Sequence, residues 1–402
     1  MNLILRTALF LLLFSLPFQI GKHFWIAESL VLGRRIDYLS PTLYFSDILL
    51  LFFLITFFLK NSISAKTKKT LFIISLLAFG FTSVYGVSWL SIYFAAKLIE
   101  FAAFGLVLVN LKPTKREIVI PLSVSILAIY PLLLMQFLTQ SSIGGIWYWL
   151  GERNFSSDTP GIAQLVASMG VYLRPYATLP HPNVLGGFLV VLLPYFLVSP
   201  VSKKRWEYLL HFTSIYLMIM GIFLSFSRAA WITTLFLMLL IFFKKFWKTP
   251  LKIGLLLTSL VIGIILEELL LGRFSQLWLG DTGSTTERLE LLTAATKFFS
   301  QSPLVGVSWG RFIPNLATLR PLPQVFQPVH SIYGLMAAET GLVGLGLFSI
   351  FFAKAFKKTW VKNPDVFLSL VAIGLLGSVD HYFLTLQQTQ LLLILIFSLA
   401  FV

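Results

Sequence analysis

The stretch Ile253-Gly-Leu-Leu-Leu-Thr-Ser-Leu-Val-Ile-Gly-Ile-Ile-Leu266 is apolar on every face of a helix. A span of a β-barrel would instead be a run of roughly ten residues in which polar and apolar side chains alternate. The rest of the chain has the same character, because 57% of its 402 residues are hydrophobic and 12% are charged, with a mean hydropathy of +0.87. These features predict an all-α, polytopic integral membrane protein.

Hydropathy divides the chain into about twelve candidate transmembrane helices. They cover residues 3–20, 43–59, 71–86, 88–110, 117–139, 184–199, 208–226, 229–243, 252–270, 331–353, 366–383 and 386–402. An even number of spans puts both termini on the same side of the membrane. Because the spans follow one another along the whole chain, we expect a single transmembrane domain over residues 1–402.

The formal net charge of +15 lies mostly in short connectors between these spans. Their basic residues are Lys60, Lys66, Lys68, Lys69, Lys112, Lys115, Arg116, Lys203, Lys204, Arg205, Lys244, Lys245, Lys248, Lys357, Lys358 and Lys362. The positive-inside rule places these connectors and both termini in the cytoplasm. The basic excess thus reflects topology in an inner or plasma membrane and attraction to membrane lipid, and it argues against a nucleic-acid partner.

The connectors on the opposite side are longer and span residues 21–42, about 140–183 and about 271–330. The first departs from the charge pattern, since Lys22, Arg34 and Arg35 lie on the outer side. We expect the loops 140–183 and 271–330 to bear short helices and to form an extracytoplasmic active site.

A helix start is visible in the last of these loops, at Ser284-Thr-Thr-Glu287. Serine and glutamate at this spacing form a capping box, in which each side chain binds the backbone N–H of the other residue. Arg288 follows, and Leu292, Ala295 and Phe299 recur with it at helical spacing. The pattern predicts an amphipathic helix with a guanidinium beside its positive end.

Polar residues gather in the outer loops and at the predicted outer ends of the spans. They are Arg174, His181, Arg228, Arg273, Arg288, His330, Asp380 and His381. Each has an ordinary alternative, because arginines at helix ends reach for lipid headgroups and interfacial histidines pack or form hydrogen bonds. Their number on one face favours a binding or catalytic site.

Arg228 lies in Leu224-Ser-Phe-Ser-Arg-Ala-Ala-Trp231, where two apolar segments of opposite direction meet with hardly any polar loop between them. The turn is predicted to be tight. A guanidinium held there can bind phosphate oxygens through two parallel hydrogen bonds, as a site for a lipid pyrophosphate requires. The alternative is a topological anchor on the outer side of the membrane.

His330 begins a helical segment on which Gly334, Ala337, Gly341 and Gly344 fall on its own face. All four are small, so a neighbouring helix is expected to approach closely beneath the imidazole. This favours a ring directed not toward lipid but into the outer end of the helix bundle, where the ring can take a proton at neutral pH. The alternative is a histidine that caps the loop before the helix.

Several other kinds of site are disfavoured. The chain has no cysteine, which excludes disulfides and thiolate nucleophiles. His181, His330, Asp380 and His381 are candidate metal ligands, but metal-binding spacings such as His-x-x-x-His and Asp-x-Asp are absent and arginines outnumber carboxylates. Phosphate-binding glycine motifs of nucleotide-binding proteins are also absent. We expect neither a metal nor a cofactor.

His330-Ser331, nine residues and then Gly341-Leu-Val-Gly344 resemble the signature of the superfamily of O-antigen ligases and O-antigen polymerases. Three further segments resemble parts of the family pattern in the same order: Arg174 to Asn183 (RPYATLPHPN), the Ser-Arg turn at 224–231, and Ser284 to Arg288 followed by Ser302-Pro-Leu-Val-Gly306-Val-Ser-Trp-Gly310. The resemblance covers about residues 170–350, and the first half of the chain matches in topology alone.

The resemblance implies a GT-C-like membrane glycosyltransferase with an outward-facing site. Its donor would be a glycan on a polyprenyl pyrophosphate, and its acceptor a glycan, lipid or protein. The family is thought to be metal-independent and inverting. Carried over, pyrophosphate binding falls on Arg228 and Arg288, with Arg174 as a third, and action on the acceptor hydroxyl falls on His330. His181, Arg273, Asp380 and His381 are possible supporting residues.

Two alternatives stay open beside the ligase. A polymerase would use the same donor with another carrier-linked glycan as acceptor, and no residue separates the two. A transporter or flippase is suggested by Lys97 and Glu100 within a span, although their spacing also fits a mutually neutralising pair. Polar residues concentrated at one end of the spans favour the enzyme.

Overall fold

Most of the chain is helical in the computed structural model, which describes residues 3–61, 64–167, 170–197, 204–243 and 282–402. We number the described helices in chain order: α1 Leu3–Ser15, α2 Phe45–Phe58, α3 Ala65–Thr82, α4 Trp89–Leu111, α5 Lys115–Thr139, α6 Ile146–Trp149, α7 Pro182–Leu197, α8 Arg205–Leu224, α9 Arg228–Phe243, α10 Thr282–Gln301, α11 Phe312–Leu316, α12 Ile332–Lys362, α13 Pro364–Val379, α14 Tyr382–Thr385 and α15 Gln387–Phe401.

Among the described residues, four helices are long and apolar enough to cross a membrane: α4, α5, α8 and α12. Shorter apolar helices accompany them. Each predicted span on described residues contains a helix, whereas the span 252–270 lies outside the described residues, as do Lys203, Lys244, Lys245, Lys248 and Arg273. The protein is therefore a mostly helical membrane protein, while the number of twelve spans and the GT-C-like architecture stay predictions.

The connectors 21–42 and 140–183 contain or border short strands. The short helices expected in 140–183 and 271–330 are α6 and α11. Gly21–His23 (β1) pairs with Thr42–Tyr44 (β4), Leu30–Val31 (β2) with Arg34–Arg35 (β3), and Gln164–Ala167 (β5) with Gly170–Leu173 (β6), all antiparallel. In the second pair Leu32 and Gly33 both have positive φ, 50° and 78°. This is the backbone of a tight hairpin turn, which explains why the segment folds back as strands.

The chain divides into two compact units. The first comprises the described residues of Met1–Ile20, Pro113–Asp281 and Thr359–Leu376. Within it α7 packs against α8 and α9, and α5 packs against α1 and α8. A fully buried carboxylate, Glu207, receives two hydrogen bonds from the guanidinium of Arg116, at 2.5 and 2.9 Å. This bidentate pairing satisfies a charge that would otherwise be costly to bury.

The second unit comprises the described residues of Gly21–Lys112, Thr282–Lys358 and Gly377–Val402. Within it α4 packs against α2, α3 and α15. Lys97 on α4 lies 3.3 Å from Glu100 and 2.5 Å from Asp47 on α2, and the Asp47 carboxylate also accepts a hydrogen bond from Gln387. The Lys97–Glu100 pair is therefore part of a larger charged cluster.

Helix α12 is broken at Gly341, where φ is 61° and ψ is −161°. The break does not come from proline. The backbone N–H groups of Leu342 and Val343 donate to the carbonyls of Pro303 and Leu304, at 2.8 and 3.1 Å. The Ser302–Gly306 segment thus lies against the break and accepts hydrogen bonds from the N–H groups that follow it.

The loop between α10 and α11 has a backbone that suits glycine. Gly306 and Gly310 have φ of 67° and 79°, and a Cβ at Gly306 would lie 2.3 Å from the backbone of Glu339. The buried Glu339 side chain accepts the N–H of Phe312 at 3.0 Å. Gly306 of the Pro-x-x-Gly segment therefore permits close backbone contact with the first half of α12, whereas Gly310 lies against the ring of Phe94.

Candidate active site

His330 lies just before α12 and two residues from its first turn. Ser331 is the capping residue instead, since its Oγ accepts the N–H of Gly334 at 3.3 Å. The His330 side chain is partly exposed, yet its Nδ1 is buried and has no hydrogen-bond partner within the described ranges. The ring is therefore held by packing and not by a hydrogen bond at this nitrogen.

The small-residue face predicted beneath His330 is wrong. The break at Gly341 changes the helical phase, so that Gly344 does not continue the face begun by Gly334. A Cβ at Gly334 would meet Val329 and Ser331 of its own segment, and one at Gly344 would meet Thr340. Gly341 contacts the backbone of Leu304 and Val305, which belongs to a loop and not to a neighbouring helix.

A second imidazole packs against His330. The rings of His330 and His381 meet edge to face, with centroids 5.4 Å apart and planes inclined at 68°. His381 is 5% exposed, and its Nδ1 lies 2.7 Å from Oγ1 of Thr385. Tyr38 packs edge-on against the same ring at 5.5 Å. Three rings and one hydroxyl thus form a continuous cluster in the second unit.

Asp380 gives this cluster a carboxylate. Its Oδ1 accepts the backbone N–H of His381 at 2.8 Å and lies 3.9 Å from Nε2 of that ring. The contact with Nε2 is longer than a hydrogen bond and acts through the negative charge of the carboxylate.

The charge environment of His330 keeps its ring neutral. Burial lowers the pKa of His330 to about 4. The Asp380 carboxylate opposes this shift, whereas the Arg288 guanidinium adds to it. A neutral imidazole has a lone pair available and can accept a proton.

Arg288 projects from α10, but its setting differs from the prediction. The helix begins at Thr282, so Ser284 lies in the first turn and is not the capping residue, and Arg288 lies in the second turn. The buried stripe is Leu291, Ala294, Ala295 and Phe298. Of the predicted stripe, Ala295 is buried, whereas Leu292 is exposed and Phe299 is partly exposed. Arg288 lies three residues before Leu291 on the same stripe, and the residue is exposed.

In the first unit, Arg174 is 3% exposed and holds the turn between α8 and α9. Its Nε and one terminal nitrogen donate to the carbonyl of Ser225, at 3.0 and 2.9 Å, and that nitrogen also donates to Asn183 at 2.7 Å. Much of its donor capacity is thus used within the protein.

The turn that carries Arg228 is tight, as predicted, because α8 ends at Leu224 and α9 begins at Arg228. Phe226 has a positive φ of 48°. Gly186 of α7 lies so close that a Cβ there would be 2.7 Å from Oγ of Ser225. Arg228 is partly exposed at the start of α9, where a helix N-terminus favours anions.

Of the two remaining predicted site residues, the structure describes His181 and does not describe Arg273. Nδ1 of His181 accepts the N–H of Asn183 at 3.1 Å, at the start of α7. Arg273 lies outside the described residues. The structure therefore brings together His330, His381, Asp380 and Arg288 in the second unit, and Arg174, Arg228 and His181 belong to the first unit.

Sequence reasoning missed Tyr38 and Thr385. Thr385 follows His381 by four residues, a spacing that places two side chains on one face of a helical turn and was available as a signal. Tyr38 lies in a short 3-10 helix, Asp37–Leu39, and no local pattern in the sequence connects it with His381.

Among the residues that the structure describes, no group of three or more histidine, aspartate and glutamate side chains is arranged to hold a metal ion. Metal independence stays a prediction.

Residues 213–349 match the family model described as O-antigen ligase, a segment that contains Arg228, Arg288 and His330. A search of curated proteins found no match to the chain. The family match confirms the resemblance read from the sequence.

Proposed function

We propose that the protein transfers a glycan from a polyprenyl-pyrophosphate carrier to an acceptor hydroxyl. The match of residues 213–349 to the family model described as O-antigen ligase supports this proposal. The reaction would take place on the extracytoplasmic face, without a metal and with inversion at the anomeric carbon. The observation that carries the proposal is the neutral imidazole of His330 packed beside His381, in the electrostatic field of Asp380 and Arg288.

His330 is the proposed general base. The acceptor oxygen attacks the anomeric carbon, the bond from that carbon to the pyrophosphate oxygen breaks, and the hydroxyl proton passes to the imidazole. The carrier pyrophosphate leaves with the bonding electrons. A pKa of about 4 is low for a base at neutral pH, but the negative charge of a bound pyrophosphate stabilises the imidazolium and raises this pKa.

Arg288 is the proposed partner of the leaving pyrophosphate in the second unit. Its exposed guanidinium can give two parallel hydrogen bonds to phosphate oxygens, and a fixed positive charge balances the charge that develops as the bond breaks. In the first unit, Arg228 is the proposed pyrophosphate-binding residue, supported by its place at a helix N-terminus within the matched segment. Arg174 would act mainly by holding the turn before Arg228.

A purified sample of the full chain tests this proposal. The protein is incubated with a polyprenyl-pyrophosphate glycan and, in separate reactions, with a lipid, a glycan, a protein and a second carrier-linked glycan as acceptors. A ligase adds the mass of the whole glycan to one of the first three acceptors, whereas a polymerase adds it to the carrier-linked glycan. If no acceptor gains mass while the donor crosses the membrane of a proteoliposome, the protein is a transporter.

A further inference from the structure

His381 is held in one orientation by its own helical turn. The hydroxyl of Thr385 lies 2.7 Å from Nδ1 of His381 and 3.3 Å from the His381 carbonyl oxygen. That carbonyl already accepts the N–H of Leu384 at 2.9 Å. A hydroxyl has a single hydrogen, and the nearer acceptor is the ring nitrogen.

The carboxylate of Asp380 favours the same arrangement. It lies 3.9 Å from Nε2 of His381, and a negative charge there stabilises a ring that carries its hydrogen on Nε2. Nδ1 then has the lone pair that the Thr385 hydroxyl requires. Two independent contacts thus select one tautomer and one orientation of the buried ring.

His330 depends on that ring for its own orientation. Histidines that act as bases are usually oriented by a hydrogen bond at the second ring nitrogen. In His330 the buried Nδ1 has no such partner in the described part of the chain. The His381 ring, 5.4 Å away and edge to face, is in contact with it.

From these contacts we propose that Thr385 and His381 are positioning residues: the Thr385 hydroxyl fixes the His381 ring, and the His381 ring fixes the imidazole of His330 for proton transfer. This inference rests on the proposed function, because it names the residues that hold the proposed base. Tyr38 packs edge to face against the His381 ring at 5.5 Å and adds to this support.

Thr385→Val tests the hydroxyl, because valine keeps the shape of threonine and removes the hydrogen bond. Thr385→Ser restores a hydroxyl and serves as the rescue. The matched control is Thr389→Val, which removes the buried hydroxyl of a second threonine of the same region, one that donates to the carbonyl of Tyr382 at 2.6 Å. Each variant is purified as the full chain, and its folded fraction is measured first.

The expected result is a fall in kcat of about tenfold for Thr385→Val, which corresponds to ~1.4 kcal/mol. The KM for donor should not change, Thr385→Ser should recover most of the rate, and Thr389→Val should keep the wild-type rate per folded molecule. A wild-type kcat in Thr385→Val would overturn the proposal. Equal losses in the Thr385→Val and Thr389→Val variants would also overturn it, by reducing Thr385 to a stabilising residue.

A second measurement does not depend on transfer activity. Diethyl pyrocarbonate acylates neutral imidazoles, and peptide mass spectrometry reports the rate at His330 alone. A ring released from its support should react severalfold faster in Thr385→Val than in the wild type or in Thr389→Val. Unchanged reactivity would contradict the positioning role. If the wild type transfers no glycan at all, the proposed function fails, and this chemical measurement still decides whether Thr385 positions His330.

Discussion

Replacing Gly341 by alanine should both destabilise the protein and disable it, because the break in α12 requires glycine. The residue has φ 61° and ψ −161°, a region that is essentially restricted to glycine and costs other residues ~1–3 kcal/mol. The new Cβ would lie 2.4 Å from the carbonyl carbon and oxygen of Leu304, where ordinary contact begins at 3.4 Å. Backbone, and not a flexible side chain, would have to move.

The size of the effect follows from what that movement breaks. A displacement of about 1 Å, the difference between these two distances, would stretch the bonds from the Leu342 and Val343 N–H groups to the carbonyls of Pro303 and Leu304. Each bond contributes roughly 1 kcal/mol. Together with the backbone strain, the expected loss is about 3–5 kcal/mol, or ~6–10 °C in apparent Tm at roughly 2 °C per kcal/mol.

The assay is thermal unfolding in detergent at one scan rate, followed by glycan transfer below the transition. Gly346→Ala is the matched control, because it lies on the same helix, has no positive φ, and a Cβ there meets no heavy atom within 4 Å. We expect its Tm to equal or slightly exceed that of the wild type. If Gly341→Ala unfolds at the same temperature as Gly346→Ala, the requirement for glycine at the break is refuted.

Further predictions concern charge, pH and metal. Arg288→Lys should lower kcat, since an ammonium cannot reproduce the two parallel hydrogen bonds of a guanidinium; equal rates would leave Arg288 as a surface anchor. For the free enzyme, kcat/KM should rise with pH through about 4, where His330 loses its proton, and stay flat above. Asp380→Asn should move that rise to lower pH, because the carboxylate raises the pKa of His330, and an unmoved profile would exclude this contact. Transfer should persist with a chelator, and its loss would support a metal site.

Burial of the His330 imidazole also links the stability of the folded protein to pH. The pKa of His330 is lowered in the folded protein, so the unfolded chain binds more protons between its ordinary value near 6.5 and the folded value of about 4. This contribution to stability is present above pH 6.5 and is lost as the pH falls toward 4.

Hydropathy and the turn motifs located the helices because span length and apolar composition are local properties of the sequence. The segment at 224–231 predicted a tight turn, and the structure has one between Leu224 and Arg228. The break at Gly341 was missed because hydropathy does not register backbone dihedral angles. It depends on hydrogen bonds to Pro303 and Leu304, which lie far away in the sequence.

The candidate site was predictable in its residue types and not in its contacts. His330, Asp380 and His381 were selected by their place at the ends of apolar segments, but the ring contact at 5.4 Å joins residues from two separate segments. For Arg174 the sequence suggested a role that differs from the contacts the residue makes. A motif suggested a ligand for pyrophosphate, whereas the structure shows a buried guanidinium that donates to the Ser225 carbonyl, and local sequence does not encode such partners.

If His330 accepts the proton of the acceptor hydroxyl, a single-turnover comparison of His330→Ala with the wild type will show a slower transfer step. Donor binding is measured in the same samples, and His23→Ala, whose imidazole contacts Thr42 and Trp25, is the control. We expect His330→Ala to bind donor normally and to transfer the glycan ~10²–10⁴-fold more slowly, while His23→Ala retains the wild-type rate. Transfer by His330→Ala at the wild-type rate would exclude His330 as the general base.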